Sequence, residues 1–434
     1  MNYVGKTIAE KIFESHIIDY EYKDAGIFIL KLDKVFCHEI TTPPAIIDLQ
    51  QRNLDFVFDP NKIKVVIDHV VPAKDTKSAI QGRILREWVR RHKIKDFFDI
   101  GYGGVCHALF PEKGFVRPGN VIIMGDSHTC TYGAFGAFAF GVGTTALEVG
   151  ILKGVVAAQK PKSIKIELTG KFQKGVYAKD LILYIIKQLT VNGATNQVLE
   201  FGGESIKELS MEERMTISNM AVEAGATCGI FPPDEITIDY LWNFIKDEFN
   251  DDKKRALQEY KNLWSDPNAS YTSIIKIDLS KIKPLVTIGY SPDQVIEVEK
   301  AIDIKIDQAY IGSCTNGRIS DLIEAAKILK GRKIHPNVRG ILVPATIEVY
   351  KRTLKEGIIT IFLEAGFLVT NPTCGACLGM SNGVLAPGEV AISSTNRNFY
   401  GRMGQGGMVH LASPATVAAS AIEGKITDPR KYLN

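Results

Sequence analysis

Ala309-Tyr310-Ile311-Gly312-Ser313-Cys314-Thr315-Asn316-Gly317 is the stretch on which the fold of this 434-residue chain turns. An apolar run of strand character enters a polar loop bounded by glycines. An amphipathic helix over about Ser320 to Leu329 follows, with Gly331 just past its end as a stop signal. The same unit recurs along the chain. Ile63–Ile67 reads as a strand that runs into Asp68-His69, and Ala79–His92 then reads as a helix with a basic outer face. Val121–Met124 is a strand ending in Gly125-Asp126-Ser127-His128-Thr129. Ile341–Val343, Phe367–Val369 and Val390–Ser393 are further short β-rich runs. The alternation predicts an α/β fold with mostly parallel sheets. In such sheets ligands bind beyond the carboxyl ends of the strands, and nearly every polar motif here falls there.

The length exceeds one ordinary core and predicts two or three domains. A break is expected near Gln159–Lys162, at Pro161. The stretch Asp247–Asn268, rich in Lys, Asp and Glu, reads as a surface connection. Net charge is +3 with mixed signs, which leaves no footprint for nucleic acid or an acidic membrane surface. No apolar run reaches the ~18 residues of a membrane helix, and the first residues lack a signal-peptide layout. Seven cysteines, an odd number, favour reduced thiols and a cytoplasmic location over a disulfide framework.

Cys314 and the pair in Pro372-Thr373-Cys374-Gly375-Ala376-Cys377-Leu378-Gly379 have a metal-site spacing with three thiolates. A closed structural site takes four protein ligands, whereas three leave a position open for water or substrate. Spacing alone allows an open iron–sulfur cluster, a zinc site with an outside fourth ligand, or buried structural thiols. Gly312, Gly317, Gly375 and Gly379 would let backbone pass close to a bulky inorganic centre. Cys37, Cys106, Cys130 and Cys228 lack the pairing and read as small hydrophobes, though Cys106 and Cys130 sit beside other polar motifs.

Asp68-His69 and Asp126-Ser127-His128 each put a carboxylate next to an imidazole just past a strand, and His107 follows Gly103-Gly104-Val105-Cys106. A carboxylate beside a histidine fixes its tautomer and tunes it as acid or base. Any one pair alone reads equally as a loop cap with a surface histidine. In Thr395-Asn396-Arg397-Asn398-Phe399-Tyr400-Gly401-Arg402, two arginines five apart suit a carboxylate ligand. Asn219 and Glu223, four apart among small apolar residues, are expected on one helix face. Gly404-Gln405-Gly406-Gly407 lacks the Lys-Ser/Thr of a phosphate loop.

Together these motifs resemble the aconitase superfamily, and within it the large subunits of the 3-isopropylmalate dehydratase and homoaconitase type. The resemblance spans nearly the whole chain. It is carried by Asp126-Ser127-His128-Thr129 with Tyr132-Gly133-Ala134-Phe135-Gly136, by Ser313-Cys314-Thr315-Asn316, by Cys374–Cys377, and by Asn396-Arg397 through Arg402. It implies three α/β/α domains, 1–160, 161–275 and 276–434, with the cluster cysteines in the third and no swivel domain. It also implies one 4Fe–4S cluster on Cys314, Cys374 and Cys377, whose fourth iron has no protein ligand. The implied reaction is the reversible dehydration and rehydration of a 2-hydroxy di- or tricarboxylic acid, with no redox change. On this resemblance His69, oriented by Asp68, protonates the departing hydroxyl. Asp126, His128, His107 and Glu223 surround that hydroxyl and water. Ser127 and Asn219 are supporting polar contacts, Arg397 and Arg402 hold substrate carboxylate, and Asn396 lies near the cluster.

Two departures from single-chain aconitases stand out. The segment that supplies a swivelling domain, with its serine base and further arginines, has no counterpart, so a separate small subunit is expected. Thr41-Thr42-Pro43-Pro44 has proline where many relatives place a substrate-contacting glutamine. Among substrates 3-isopropylmalate, of leucine biosynthesis, ranks first, ahead of homoaconitate, 2,3-dimethylmalate, citramalate and maleate. Met124-Gly125 and Val70-Val71-Pro72 depart from the commonest isopropylmalate-enzyme wording and hint at a less usual branch. A cluster-dependent RNA-binding regulator is the reading from another class. The near-neutral charge and the retained acid–base residues oppose it.

Overall fold

The computed structural model describes residues 5–22 and 26–433. Three parallel sheets carry the molecule. The first orders its strands Phe97–Phe98, Ile63–Val66, Lys34–His38, Val121–Met124, Phe138–Gly141. All its pairings are parallel. Its central strands are apolar runs because both faces are covered. Val35, Val65 and Ile123 pack on one face with Leu85 and Trp88 of the helix Thr76–Arg91. Phe36, Val66, Ile122 and Met124 pack on the other with Phe110 and Tyr132.

The chain builds this sheet outward from Lys34–His38 in one direction, through Ile63–Val66 to Phe97–Phe98. It then crosses to Val121–Met124 on the other side. Lys34–His38 and Val121–Met124 therefore flank a topological switch point, where loops leave in opposite directions and open a crevice. The third sheet repeats the scheme. Its order is Phe367–Val369, Arg339–Val343, Gln308–Gly312, Val390–Ser393, Met408–Leu411, all parallel. Its switch point lies between Gln308–Gly312 and Val390–Ser393, the strands that lead into Cys314 and Asn396. The middle sheet, Cys228–Ile230, Gln197–Gly202, Lys162–Thr169 and Ser273–Asp278, is parallel as well. Two small antiparallel sheets complete the set, one of Ile17–Tyr22, Ile27–Lys31 and Val155–Gln159, the other of Leu285–Thr287 and Val295–Glu297.

The middle sheet shares a core with the inner face of the third. Ile164, Ile166, Leu181 and Phe201 pack in one cluster with Tyr310, Ile341 and Val343. Loops of the first and third sheets meet edge to edge. Gly104 bridges Thr346, and the Cys374 N–H donates to the Asp68 carbonyl at 2.9 Å. Gly104 is required at this approach, since a Cβ there would lie 2.5 Å from the Thr346 Cα.

Lys160-Pro161 does separate a strand of a small sheet from one of the middle sheet. The stretch 247–268 is not a mere surface connection. It holds the helix Lys253–Lys261, and beyond it Trp264 donates to the Pro233 carbonyl and Ser265 to Glu200. Trp264 gives this charged segment an apolar anchor that its composition conceals. Among the described residues no helix is long and apolar enough to cross a membrane.

Candidate active site

The strand Gln308–Gly312 ends in a turn that only particular residues can make. Gly312 has φ +146°, and a Cβ there would sit 2.4 Å from the Val343 carbonyl oxygen. Ser313 follows at φ +75°, a costly conformation for a residue with a side chain. The short helix Ser313–Asn316 then lifts Cys314 over the carboxyl edge of the sheet. Gly375 and Gly379 take left-handed φ values of +49° and +67° around the turn that carries Cys377. Gly317 has an ordinary φ, but a Cβ on it would press on the Ser313 and Val343 carbonyls. These glycines thus make room for the protein's own backbone, besides any clearance they leave for an inorganic centre.

One cavity of about 70 Å³ gathers what the sequence scatters. His69, Cys106, His107, Asp126, Ser127, His128, Cys314, Cys374, Cys377, Asn396, Arg397 and Arg402 line it together with Leu378. Asp68, Asn219 and Glu223 stand behind this lining. Cys106, set aside on spacing, belongs to the cavity wall. Cys37, Cys130 and Cys228 are buried elsewhere, and no cysteine among the described residues is bridged.

The acid–histidine pairs are re-sorted by the fold. Asp68 and His69 do pair, Nδ1 to Oδ1 at 2.7 Å. Asp126 instead caps the turn Ser127–Phe135 by accepting the His128 N–H at 2.7 Å. The same oxygen meets His107 Nε2 at 3.0 Å, and its other oxygen lies 3.6 Å from His69 Nε2. His128 turns to Glu223, Nε2 to Oε1 at 2.8 Å, and Glu223 also accepts from Arg397 Nε at 2.6 Å. Asn219 closes the helix Met211–Met220, and Glu223 lies in the separate 3₁₀ turn Ala221–Ala224 that follows, so one continuous helix face is not what aligns them.

The charge pattern follows from burial opposed by pairing. Burial works to raise the Asp68 carboxyl, yet the His69 ring against it holds it at about 2. His69 is pushed well above its ordinary value, burial notwithstanding, by Asp68 first. Asp126 is held well below the usual carboxylate range, chiefly by His107 against the cost of burial. Glu223 is lowered by His128 and Arg397, again against burial. His69 thus has a carboxylate facing each ring nitrogen.

Glu39 and His38 were not singled out from sequence. His38 ends the strand Lys34–His38 and Glu39 follows it in the turn, an adjacent histidine–acid pair like the one just past Ile63–Val66. The buried Glu39 carboxylate accepts the backbone N–H groups of Asp68, His69 and Val70 at 3.1, 2.7 and 2.8 Å. The His38 ring stacks on His69 with centroids 4.1 Å apart. Thr373, beside Cys374, donates its hydroxyl to the Asp68 and His69 carbonyls. Tyr132 meets His107 Nδ1 at 3.0 Å.

The donor set bears on the metals that spacing left open. A single zinc with sulfur at about 2.3 Å draws its thiolates to within about 4 Å of one another. Among the described residues the one group of three or more whose ligating atoms all lie within 4.8 Å of one another is His38, Glu39, Asp68 and His69. Their carboxylates are already committed to N–H donors. Cys314, Cys374 and Cys377 do not form so compact a group. N–H groups aim at their sulfurs: Asn219 at 3.3 Å and Asn396 at 3.4 Å to Cys314, Arg402 at 3.9 Å to Cys377. Burial pushes the Cys374 thiol up to about 11, opposed by His69, and raises Cys314 as well. A bound cation would favour their thiolates, with release of protons.

The aconitase family (aconitate hydratase) model matches residues 10–424. The chain belongs to the aconitase family. The 3-isopropylmalate dehydratase large subunit of Geobacter metallireducens is 63% identical over 99% of this chain and 100% of that one. That of Desulfosudis oleivorans is 63% identical over 99% of each chain. The 3-isopropylmalate dehydratase large subunit 1 of Pyrococcus furiosus is 48% identical, again over 99% of each. Aconitase-family membership fits the layout: an α/β fold whose parallel sheets turn their carboxyl edges toward one cavity lined with cysteines, histidines and arginines.

Proposed function

We propose that this chain is the large, catalytic subunit of a two-subunit hydro-lyase, 3-isopropylmalate dehydratase. It isomerises a 2-hydroxy dicarboxylic acid by removing and re-adding water across adjacent carbons. The observation that carries the reading is the convergence on one cavity of three thiols, a histidine set between two carboxylates, and two arginines. Relatives of the same length that bear this name support the substrate.

Cys314, Cys374 and Cys377 would hold one 4Fe–4S cluster, which when bound supplies an open Lewis-acid iron. The protein's own groups do the rest. Arg402 is largely buried, with an unpartnered Nε, and it is suited to a substrate carboxylate. Arg397 has its Nε on Glu223, so its terminal N–H groups are those left for substrate. His69 holds a proton on Nε2, facing the cavity, and gives it to the departing hydroxyl, which leaves as water. Asp68 keeps Nδ1 protonated throughout. Asp126 and His107 hold the released water for return to the neighbouring carbon. Such a positioned acid contributes about 10²–10⁴ in rate.

The base that takes the carbon-bound proton is assigned to the small subunit, with its swivel domain. The proposed division of the chain is 1–160, 161–275 and 276–434; the first boundary falls between two sheets, whereas the second lies within Ser273–Asp278, a strand of the middle sheet. The reduced state of the cysteines goes with a cytoplasmic setting. An anaerobic assay of the reconstituted two-subunit complex against a panel of 2-hydroxy diacids tests the proposal. Turnover of 3-isopropylmalate is expected, and full turnover by the large subunit alone would refute the two-subunit reading.

A further inference from the structure

Lys179 opens the helix Ala178–Leu189 and is fully buried. Its placement is costly twice over. A charge removed from water must be compensated, and a cation in the first turn of a helix opposes the macrodipole. Its Nζ donates to the Ser394 carbonyl at 2.8 Å, the Thr395 carbonyl at 2.5 Å and Asn316 Oδ1 at 3.3 Å. Three acceptors ask for three protons, which only the ammonium form carries. Burial pushes its pKa down to about 7, against which Asp321 acts.

These partners lie on two different loops of the candidate site. Asn316 is two residues past Cys314, on the loop after Gln308–Gly312. Ser394 and Thr395 immediately precede Asn396 and Arg397, on the loop after Val390–Ser393. The two loops leave adjacent strands at the switch point of the third sheet, and Lys179 reaches them from a helix that packs with the middle sheet. Two carbonyls turned toward one ammonium fix the entry of the Asn396–Arg397 segment. Asn316 is held from its other side as well, since its Nδ2 donates to Asp321 at 2.8 Å.

We infer that Lys179 is a positioning residue for the dehydration reaction, clasping the Cys314 loop to the Asn396–Arg397 loop so that thiolate and substrate-carboxylate contacts keep one mutual geometry. This rests on the dehydratase reading above, and its test has a readout that does not. Lys179→Met keeps the stem and removes the three donors. Arg214→Met removes a second buried cation, one that pairs with Asp234 at 2.6 Å and caps carbonyls away from the cavity.

In the isolated chain, Lys179→Met is expected to lose hydrogen-exchange protection in both 313–318 and 394–402, whereas Arg214→Met loses it in neither preferentially. In the two-subunit complex, Lys179→Met is expected to load iron yet to lose roughly 10–100-fold in kcat/KM, with KM raised. Lys179→Arg should restore part of this. Lys179 and Asn316 also line a cleft of about 350 Å³. Ethylamine added to Lys179→Ala should therefore recover activity by entering there. Unchanged exchange in the two loops would overturn the inference whatever the activity does. So would a kcat/KM within twofold of wild type in the iron-loaded Lys179→Met complex. If Lys179→Met does not fold, failure of both Lys179→Arg and ethylamine to restore KM overturns it instead. An inactive wild-type complex would refute the dehydratase reading and leave the exchange result to judge the clasp.

Discussion

His69 has a carboxylate on each side, and the two do different work. Asp68 is bound tightly at Nδ1, while Asp126 waits 3.6 Å from Nε2, a separation that admits no direct bond. Asp68 is itself fixed, because its second oxygen accepts the Cys106 N–H at 2.7 Å and its backbone N–H goes to Glu39. Asp68→Asn removes the counter-charge while keeping the shape. It is expected to lower kcat by about 10²–10⁴ with little change in iron content, as read by steady-state kinetics beside an iron assay. Adjacency in sequence predicted this pair correctly because a strand-end dipeptide can close such a bond without help. It did not predict His107 with Asp126, 19 positions apart, or His128 with Glu223, 95 apart. Those bonds join different elements, and no local spacing encodes them.

Short elements set the positions of these side chains. Gly312→Ala puts a Cβ 2.4 Å from the Val343 carbonyl at a φ of +146°. A cost of about 1–3 kcal/mol is expected, read as a lower Tm, together with reduced iron retention because Cys314 is two residues on. The first helix, Ile8–Ser15, carries a pH-dependent contact of a separate kind. His16 caps its C-terminus and meets Asp33 at 2.9 Å. Burial opposes both charges, but Asp33 raises His16 above 6.5 and His16 lowers Asp33 below 3.8. The histidine's contribution is complete below 6.5 and fades as pH climbs through its raised value. The aspartate's is complete above 3.8 and fades as pH falls through its lowered one. His16→Gln is therefore expected to cost roughly 1 kcal/mol near pH 5.5 and much less at pH 9, measured by urea unfolding at both. Strands and helices were legible at this scale because strands covered on both faces must be apolar throughout, as Val121–Met124 is. The anchoring of 247–268 was not legible, since one half-buried tryptophan hides within a charged stretch.

At the scale of the molecule, the site exists only where the carboxyl edges of two sheets are brought together. Gly104 permits the closest approach, so Gly104→Ala should force the loops around Thr346 and Val105 apart. Weakened turnover and a lowered Tm are expected together, whereas a variant with wild-type kinetics would show the approach to be slack. The residues that line the cavity were largely named from sequence, because each follows a strand and parallel sheets bind ligands there. Glu39 and Lys179 were missed, because an acid at a strand end and a lysine in a first helical turn read as ordinary surface groups until burial is known. By itself the sequence determined the α/β alternation, the three thiols and the residue types of the chemistry, all of which depend on neighbours within a few positions. Only the tertiary structure decided which carboxylate serves which histidine, that the three thiols line one cavity, and that a buried lysine ties two loops. Those are distances between atoms far apart in the chain, and packing alone sets them.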